Sequence, residues 1–201
     1  MHTTQTYPRV IGISGISGAG KSVLTKRLAE TLQATFLLWD DYDEISQGPE
    51  DYVKWYKTSK NCDDWVYDDL ADTLKKLKEG QKVICPATRR ELFPTDYILF
   101  DAPMGRCHKA TGKYIDFLIC LDTPLDIALA RRLLRDYRSH PDPQKMLKEL
   151  DYYLSDARPL FILTPEEKAS DLIIDGSLSL DSQEQEVLKI FRVPSKNSQR
   201  E

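Results

Sequence analysis

No apolar run approaches the roughly 18 residues that a spanning helix needs, so no transmembrane helix is expected. Met1 to Pro8 carries neither a basic start nor an apolar core, so no signal peptide is expected there either. Cysteine is sparse. Cys62, Cys85, Cys107 and Cys120 are scattered, with no CxxC pair. Neither a metal nor a disulfide role is expected of them, and a reducing cytoplasm is the matching compartment. Neither sign of charge dominates: 28 basic residues stand against 32 acidic ones, a net of −4. That balance argues against nucleic acid or an anionic membrane as the main partner. Internal repeats and low-complexity tracts are missing as well.

What is present is a core and a motif. The 201 residues are 41% hydrophobic, which suits one domain. It is expected over residues 1–192, with a small lid at about 131–150 and a disordered tail at 193–201. Gly15-Ile16-Ser17-Gly18-Ala19-Gly20-Lys21-Ser22 is G-x-x-x-x-G-K-[ST], the loop that cradles a triphosphate. A side chain at Gly15, Gly18 or Gly20 could block the close approach of backbone to phosphate. Lys21 would reach the outer phosphates, and the Ser22 hydroxyl would sit on Mg²⁺. Arg9 to Ser14 is a β-branched run suited to a buried strand, and Val23, Leu24, Leu28 and Leu32 recur at helical spacing. The loop therefore joins a strand to a helix, whose N-terminus favours an anion. The nucleotide-contacting set is Gly15, Ser17, Gly18, Ala19, Gly20, Lys21, Ser22 and Val23.

Further along, Ala34 to Trp39 reads as a second strand, ending at Asp40-Asp41. Residues 43–64, polar, acidic and aromatic, belong outside the core and over the site. Residues 66–79 form a helix with Leu70, Leu74 and Leu77 on one face and Gly80 just past its end. Val83 to Cys85 is a short strand stopped by Pro86, and Tyr97 to Asp101 and Ile115 to Leu121 are buried strands. Thr123-Pro124 offers an N-cap and first helical position. His140-Pro141-Asp142-Pro143 interrupts the helix that follows, and helical spacing resumes over 144–154. Asp171 to Ile174 is a last strand, and Asp181-x-x-Glu184 has capping-box spacing before a closing helix. Strands alternating with helices mean an α/β fold with a parallel sheet covered on both faces, which binds ligands beyond the strand carboxyl ends.

Two carboxylates stand at those ends. Asp40, taken to end the strand beside the phosphate loop, is the candidate base for an acceptor hydroxyl; a helix N-cap is the plainer reading. Asp101 is the candidate second support for Mg²⁺; a turn residue before Pro103 is its alternative. Arg131, Arg132, Arg135 and Arg138 are either a solvated helix face or a lid that closes on a triphosphate. The phosphate loop implies an anion to cover, which favours the lid for Arg131 and Arg135. Arg89, Arg90, Arg106 and His108 either face an anionic acceptor or are ordinary surface groups. Trp55, Tyr56 and Trp65 either stack on a base or cover the core.

Val10-Ile11-Gly12-Ile13-Ser14-Gly15 leading into Gly18-Ala19-Gly20-Lys21-Ser22 resembles the opening of the uridine kinase-like branch of the P-loop kinases. Trp39-Asp40-Asp41-Tyr42 is similar to that branch's strand-end motif, Leu121 to Asp126 with Arg131-Arg132 and Arg135-Asp136 to its lid entry. Arg158-Pro159, Pro165 and Ser170 to Ile174 resemble the approach to its last strand. The resemblance covers roughly residues 9–176. It implies a three-layer αβα sandwich of the P-loop NTPase type with a helical, arginine-bearing lid. It also implies ATP and Mg²⁺ as cofactors, a preference strengthened by the lack of an Asn-Lys-x-Asp guanine signature. The implied activity is transfer of the γ-phosphate to a hydroxyl of a nucleoside or similar metabolite by a cytoplasmic monomer or homodimer. Asp40, Lys21, Arg131 and Arg135 are then catalytic, Asp40, Tyr42, Arg89 and Arg106 contact the acceptor, and Ser22 and Asp101 hold the metal. Ala87 to Glu91 and Arg138-Ser139-His140-Pro141 depart from the branch's pattern. A kinase for an anionic metabolite or cofactor precursor, and a non-catalytic ATP-binding switch, therefore stay open.

Overall fold

The computed structural model describes residues 7–162 and 169–191. Pro165 and the segment 193–201, both named above, lie outside the described residues, as does Met1 to Thr6. The chain runs β1 (Arg9–Gly15), α1 (Lys21–Leu32), β2 (Thr35–Leu38), α2 (Tyr52–Thr58), α3 (Asp68–Lys78), β3 (Val83–Ile84), β4 (Glu91–Leu92) and β5 (Tyr97–Asp101). It continues with α4 (Lys109–Gly112), β6 (Phe117–Asp122), α5 (Leu125–Tyr137), α6 (Pro143–Tyr152), β7 (Leu172–Asp175) and α7 (Leu180–Leu188). Five strands form one parallel sheet in the order β2-β5-β1-β6-β7.

Alternation along the strands builds three layers. On β1, Val10 faces one side, whereas Ile11 and Ile13 face the other; on β5, Ile98 and Phe100 oppose Leu99. Ile11, Ile13 and Leu99 pack under α1 and α7 with Leu24, Leu28, Val187 and Phe191. Val10, Ile98 and Phe100 pack under α3 with Leu70, Leu74 and Leu77. The expected αβα sandwich is therefore the fold, with apolar side chains on both sheet faces because crossover helices cover both.

Several local expectations differ from the structure. The segment Val83–Ile84 pairs with Glu91–Leu92 in a separate antiparallel ribbon and does not enter the main sheet. Strand β6 begins at Phe117 because the Asp116 carboxylate takes the Val10 amide at 2.8 Å and the Lys78 ammonium at 2.6 Å. Pro124 occupies the N-cap of α5, and the Thr123 hydroxyl instead donates to the Ala19 carbonyl at 3.2 Å. Asp181 and Glu184 do not form a capping box. Ser179 caps α7, and both acids bind the Arg27 guanidinium, at 2.6 and 2.9 Å. The break between α5 and α6 falls where the prolines put it. Pro143 opens α6, and Asp142 caps it by accepting the Lys145 amide at 2.9 Å.

The cysteines overturn one reading outright. Cys62 and Cys107 are bonded as a disulfide, with Cα atoms 5.8 Å apart and 45 residues between them in sequence. Sequence spacing did not announce it because the partners meet only through the fold. Their pairing removes cysteine usage as an argument for a reducing compartment. The bond pins a short helical turn, Cys62–Asp64, onto the loop after β5. Beside it the Lys109 amide donates to Asp63 at 2.9 Å, and His108 Nε2 lies 2.8 Å from the Trp65 carbonyl. Thiol titration of the denatured, unreduced chain is expected to find two thiols, Cys85 and Cys120, and after reduction four. Reduction should lower the unfolding free energy by about 2–4 kcal/mol, measured by urea titration with and without reductant. Four thiols before reduction would show the bond does not form.

Candidate active site

Strand β1 delivers the loop Gly15 to Gly20, and α1 starts at Lys21 with Gly20 as its N-cap at φ 105°. No side chain caps this end, so the first amides of α1 are left for a ligand. The glycines have different reasons. A Cβ on Gly18 would fall 2.2 Å from the Ala128 carbonyl oxygen of α5, so this glycine is demanded by helix packing and by its φ of +85°. A Cβ on Gly20 would meet only Arg131 Nη1, at 4.0 Å. Gly20 alone thus matches the open approach that the motif suggests; Gly15 and Gly18 are closed by neighbouring backbone.

The loop forms one wall of a cleft of about 450 Å³. Ser17 to Val23 line it together with Asp40, Asp101, Arg131, Arg132 and Arg135. Lys21 lies back over its own loop, its ammonium donating to the Ile16 carbonyl at 3.1 Å. Burial pulls that ammonium below the ordinary lysine range, against the opposing pull of Asp101 and Asp40. The Ser22 hydroxyl donates to Asp101 Oδ2 at 2.5 Å. Burial pushes the Asp101 carboxyl above the usual range, opposed by the Lys21 charge and the Ser22 hydrogen bond. Its other oxygen, Oδ1, is buried with no partner. A buried carboxylate oxygen without a donor, beside a serine hydroxyl, fits a hard divalent cation that completes its shell with water and phosphate oxygens.

Asp101 ends β5, and β5 is the strand directly beside β1, with Ile13 and Asp101 in register. Asp40 is placed otherwise than expected. Strand β2 stops at Leu38 and sits at the sheet edge, with β5 between it and β1. Trp39 to Ile45 is a 3₁₀ turn, in which residues three apart share a face. Trp39 and Tyr42 take the inward face and are 4% and 0% exposed, which turns Asp40 and Asp41 outward. Asp40 still reaches the cleft, within electrostatic range of Lys21.

The remaining assignments separate. Tyr42 is sealed in the core, its hydroxyl 3.2 Å from the Cys85 sulfur, so it cannot contact an acceptor directly. Arg89 sits in the ribbon turn at φ 61°, its amide bonded to the Cys85 carbonyl at 2.9 Å, and does not line the cleft. Arg106 pairs with Asp171 at 2.6 Å, and the same carboxylate accepts the Leu118 amide, near the start of β6. The phosphate loop lies at the other end of that strand, where Gly15 pairs with Leu121. His108 is 1% exposed, bonded to Thr111 and Trp65, and serves packing. Arg131 donates through Nη1 to the Ala19 carbonyl at 3.3 Å and the Gly176 carbonyl at 2.8 Å, bracing the loop. Arg135 is exposed and paired with its neighbour Asp136 at 2.7 Å.

A family model described as an AAA domain matches residues 11–151, the stretch that holds the loop, both carboxylates and the arginine helix. The chain belongs to that AAA domain family. Among curated proteins it is similar to the uridine kinase of Borrelia duttonii (strain Ly), 29% identical over 178 residues, covering 83% of this chain and 85% of the relative. The uridine kinase of Staphylococcus aureus (strain JH9) is also 29% identical, over 181 residues, covering 82% and 86%. Among solved structures, a putative fructose transport system kinase from Silicibacter sp. TM1040 superposes with a TM-score of 0.57 at 18% identity, covering 87% of this chain and 93% of that one. A sugar kinase from Janibacter sp. HTCC2649 gives 0.52 at 15% identity, covering 93% and 96%. The resemblance to P-loop kinases is thus borne out. Beyond the matched range, this AAA domain chain adds a wall that sequence reading missed. Leu178, Leu180 and Gln183 also line the cleft, and the Gln183 amide donates to the Leu178 carbonyl at 2.9 Å. The signal lay in Gly176, which lets the chain turn against Thr123. A Cβ there would fall 1.8 Å from the Thr123 hydroxyl oxygen.

Proposed function

We propose that this P-loop kinase transfers the γ-phosphate of ATP to a hydroxyl of a nucleoside or similar small metabolite. The observation that carries the reading is the convergence of Lys21, Ser22, Asp101 and Asp40 on one cleft at the N-terminus of α1. Lys21 and the free amides of α1 hold the outer phosphates, and Leu178 and Leu180 offer an apolar face to the base. Ser22 and Asp101 would hold Mg²⁺, which supplies charge neutralisation on the phosphate oxygens when bound. Asp40, exposed and with no hydrogen-bond donor assigned to it among the described residues, accepts the proton of the acceptor hydroxyl. Arg131 keeps the loop in shape, while Arg135, held only by its exposed pair with Asp136, is free to turn onto the phosphates. Residues 131–150, from α5 into α6, act as the lid. The supply of ATP suits a cytoplasmic location. Arg89, Arg90, Arg106 and His108, the groups that could face an anionic acceptor, do not line the cleft, which favours the nucleoside class over the anionic one.

The test is a panel of nucleosides, vitamins and sugar phosphates offered with Mg²⁺ and ATP, followed by ADP release. A nucleoside is expected to stimulate release most strongly. Stimulation by an anionic compound alone would move the acceptor class. Tight ATP binding with no stimulation by any acceptor would make the protein a nucleotide-dependent switch.

A further inference from the structure

We propose that residues 47–66 form a redox-released strap: with Cys62 and Cys107 joined, the strap holds the helical turn that follows α6, and a dithiol reductant sets that turn free. The strap is a property of the fold; that the turn it holds adjoins a lid rests on the kinase reading. Little else keeps the segment in place. Of residues 47–66, Val53 and Cys62 are the buried ones. Helix α2 has seven residues, too few to stand without tertiary packing. A backbone bridge between Gln47 and Val66 closes the base of the strap, with amide-to-carbonyl distances of 3.1 and 2.8 Å. At one end the disulfide ties it to the loop after β5, helped by Asp63, which takes the Lys109 amide and ammonium at 2.9 and 2.8 Å. That loop is itself anchored, since the Ala102 amide donates to the Ile13 carbonyl of β1 at 2.9 Å. At the other end Lys57 reaches Asp156, in the turn Tyr153–Ala157, at 2.9 Å. A cavity of about 540 Å³ lies between α2 and that turn. The Lys57 and Asp156 side chains are 58% and 43% exposed, and a pair so exposed holds only while both partners are already ordered. The disulfide supplies that order on the strap side. Without it, closing the pair must overcome the chain entropy of the strap.

The two sulfurs differ in access. Cys107 is exposed, whereas Cys62 is 8% exposed. A thiolate of the reductant therefore attacks the Cys107 sulfur. The bond to Cys62 breaks, and Cys62 leaves as a thiolate that takes a proton. The second thiol of the reductant, as its thiolate, then attacks the reductant sulfur of the mixed disulfide and expels Cys107. The protein gains two electrons and two protons, and the reductant ends as a disulfide. Cys85 and Cys120, both buried, stay out of the exchange.

Hydrogen exchange of the full chain reads the strap and the turn separately. On reduction with dithiothreitol, amides of residues 47–66 should exchange at least about tenfold faster and those of 153–157 at least about threefold faster, while β1 and β5 keep their protection. Oxidised glutathione should restore both segments. A chain carrying Cys62→Ser and Cys107→Ser should behave without reductant as the reduced chain does. Lys57→Ala in the oxidised chain should speed exchange at 153–157 and leave reduction nothing further to release there. Four free thiols before reduction overturn the inference. So does a turn whose exchange ignores reduction or Lys57→Ala, and so does loss of protection in β1 and β5 along with the strap. Calorimetry with Mg²⁺ and a non-hydrolysable ATP analogue is the separate control. A chain that fails to bind the analogue removes the kinase reading and leaves the strap result standing.

Discussion

Lys21→Ala should abolish turnover, with a loss in kcat/KM of at least about 10³, comparable to or beyond the removal of one transition-state donor. Lys21 is the one ammonium in the cleft wall among the described residues, and burial makes it worth more there than in water. Charge develops on the phosphoryl oxygens during transfer, so the missing cation is felt most at that moment. A second consequence follows from its neighbour. Asp101 is buried and already pushed upward by that burial, and Lys21 is the largest influence holding it down. Without Lys21, its carboxyl should take up a proton more readily, weakening its fitness for Mg²⁺. The loss should therefore appear in calorimetric affinity for Mg²⁺ and ATP as well as in rate. Lys21→Ala with ATP affinity and turnover within a few-fold of wild type would remove the loop from the reaction.

The loop was legible because its chemistry is local. Eight consecutive residues, Gly15 to Ser22, set the cradle, and the flanking strand and helix follow from β-branched and i, i+3/i+4 patterning. Asp101 was legible for a related reason: an acid closing the apolar run Tyr97 to Phe100 falls at a strand end. What stayed hidden depends on which strands become neighbours. Sequence order gives β1 then β2, and the sheet puts β5 between them. Asp40 lines the cleft but does not reach it from the end of a strand beside the phosphate loop. A 3₁₀ turn, with Trp39 and Tyr42 as its buried face, aims it there.

The long-range pairings were the least visible. Arg106 reads as a free cation in sequence, yet it lies opposite Asp171, 65 residues away. Tyr42 reads as a ring beside a catalytic acid, and the fold seals it against Cys85. The Cys62–Cys107 bond and the His108–Trp65 contact bring residues 62–65 onto the loop after β5. No periodicity encodes such meetings, because each joins segments more than 40 residues apart in sequence. Glycine was legible as a need but not as a cause. At Gly18 the motif suggests a phosphate, and the structure supplies the α5 backbone.

Asp40→Asn is the sharper test of mechanism, since it changes one oxygen for an amide and nothing in the fold. Asp40 is exposed on its turn, so the substitution leaves the core of Trp39 and Tyr42 intact. If Asp40 accepts the acceptor's proton, transfer should fall by about 10² or more while the nucleotide still binds. The amide cannot take a proton, but it keeps the size and a hydrogen-bonding oxygen for orienting the hydroxyl. Removing the carboxylate also takes away one of the two negative charges that favour the Lys21 ammonium. ATP affinity should then hold or rise slightly, which separates a lost base from a damaged cradle. Single-turnover measurement of phosphoryl transfer, beside calorimetric binding of ATP and of acceptor, reads both quantities. Transfer at the wild-type rate would take Asp40 out of the chemistry. Asp101 is committed elsewhere, its Oδ2 held by the Ser22 hydroxyl.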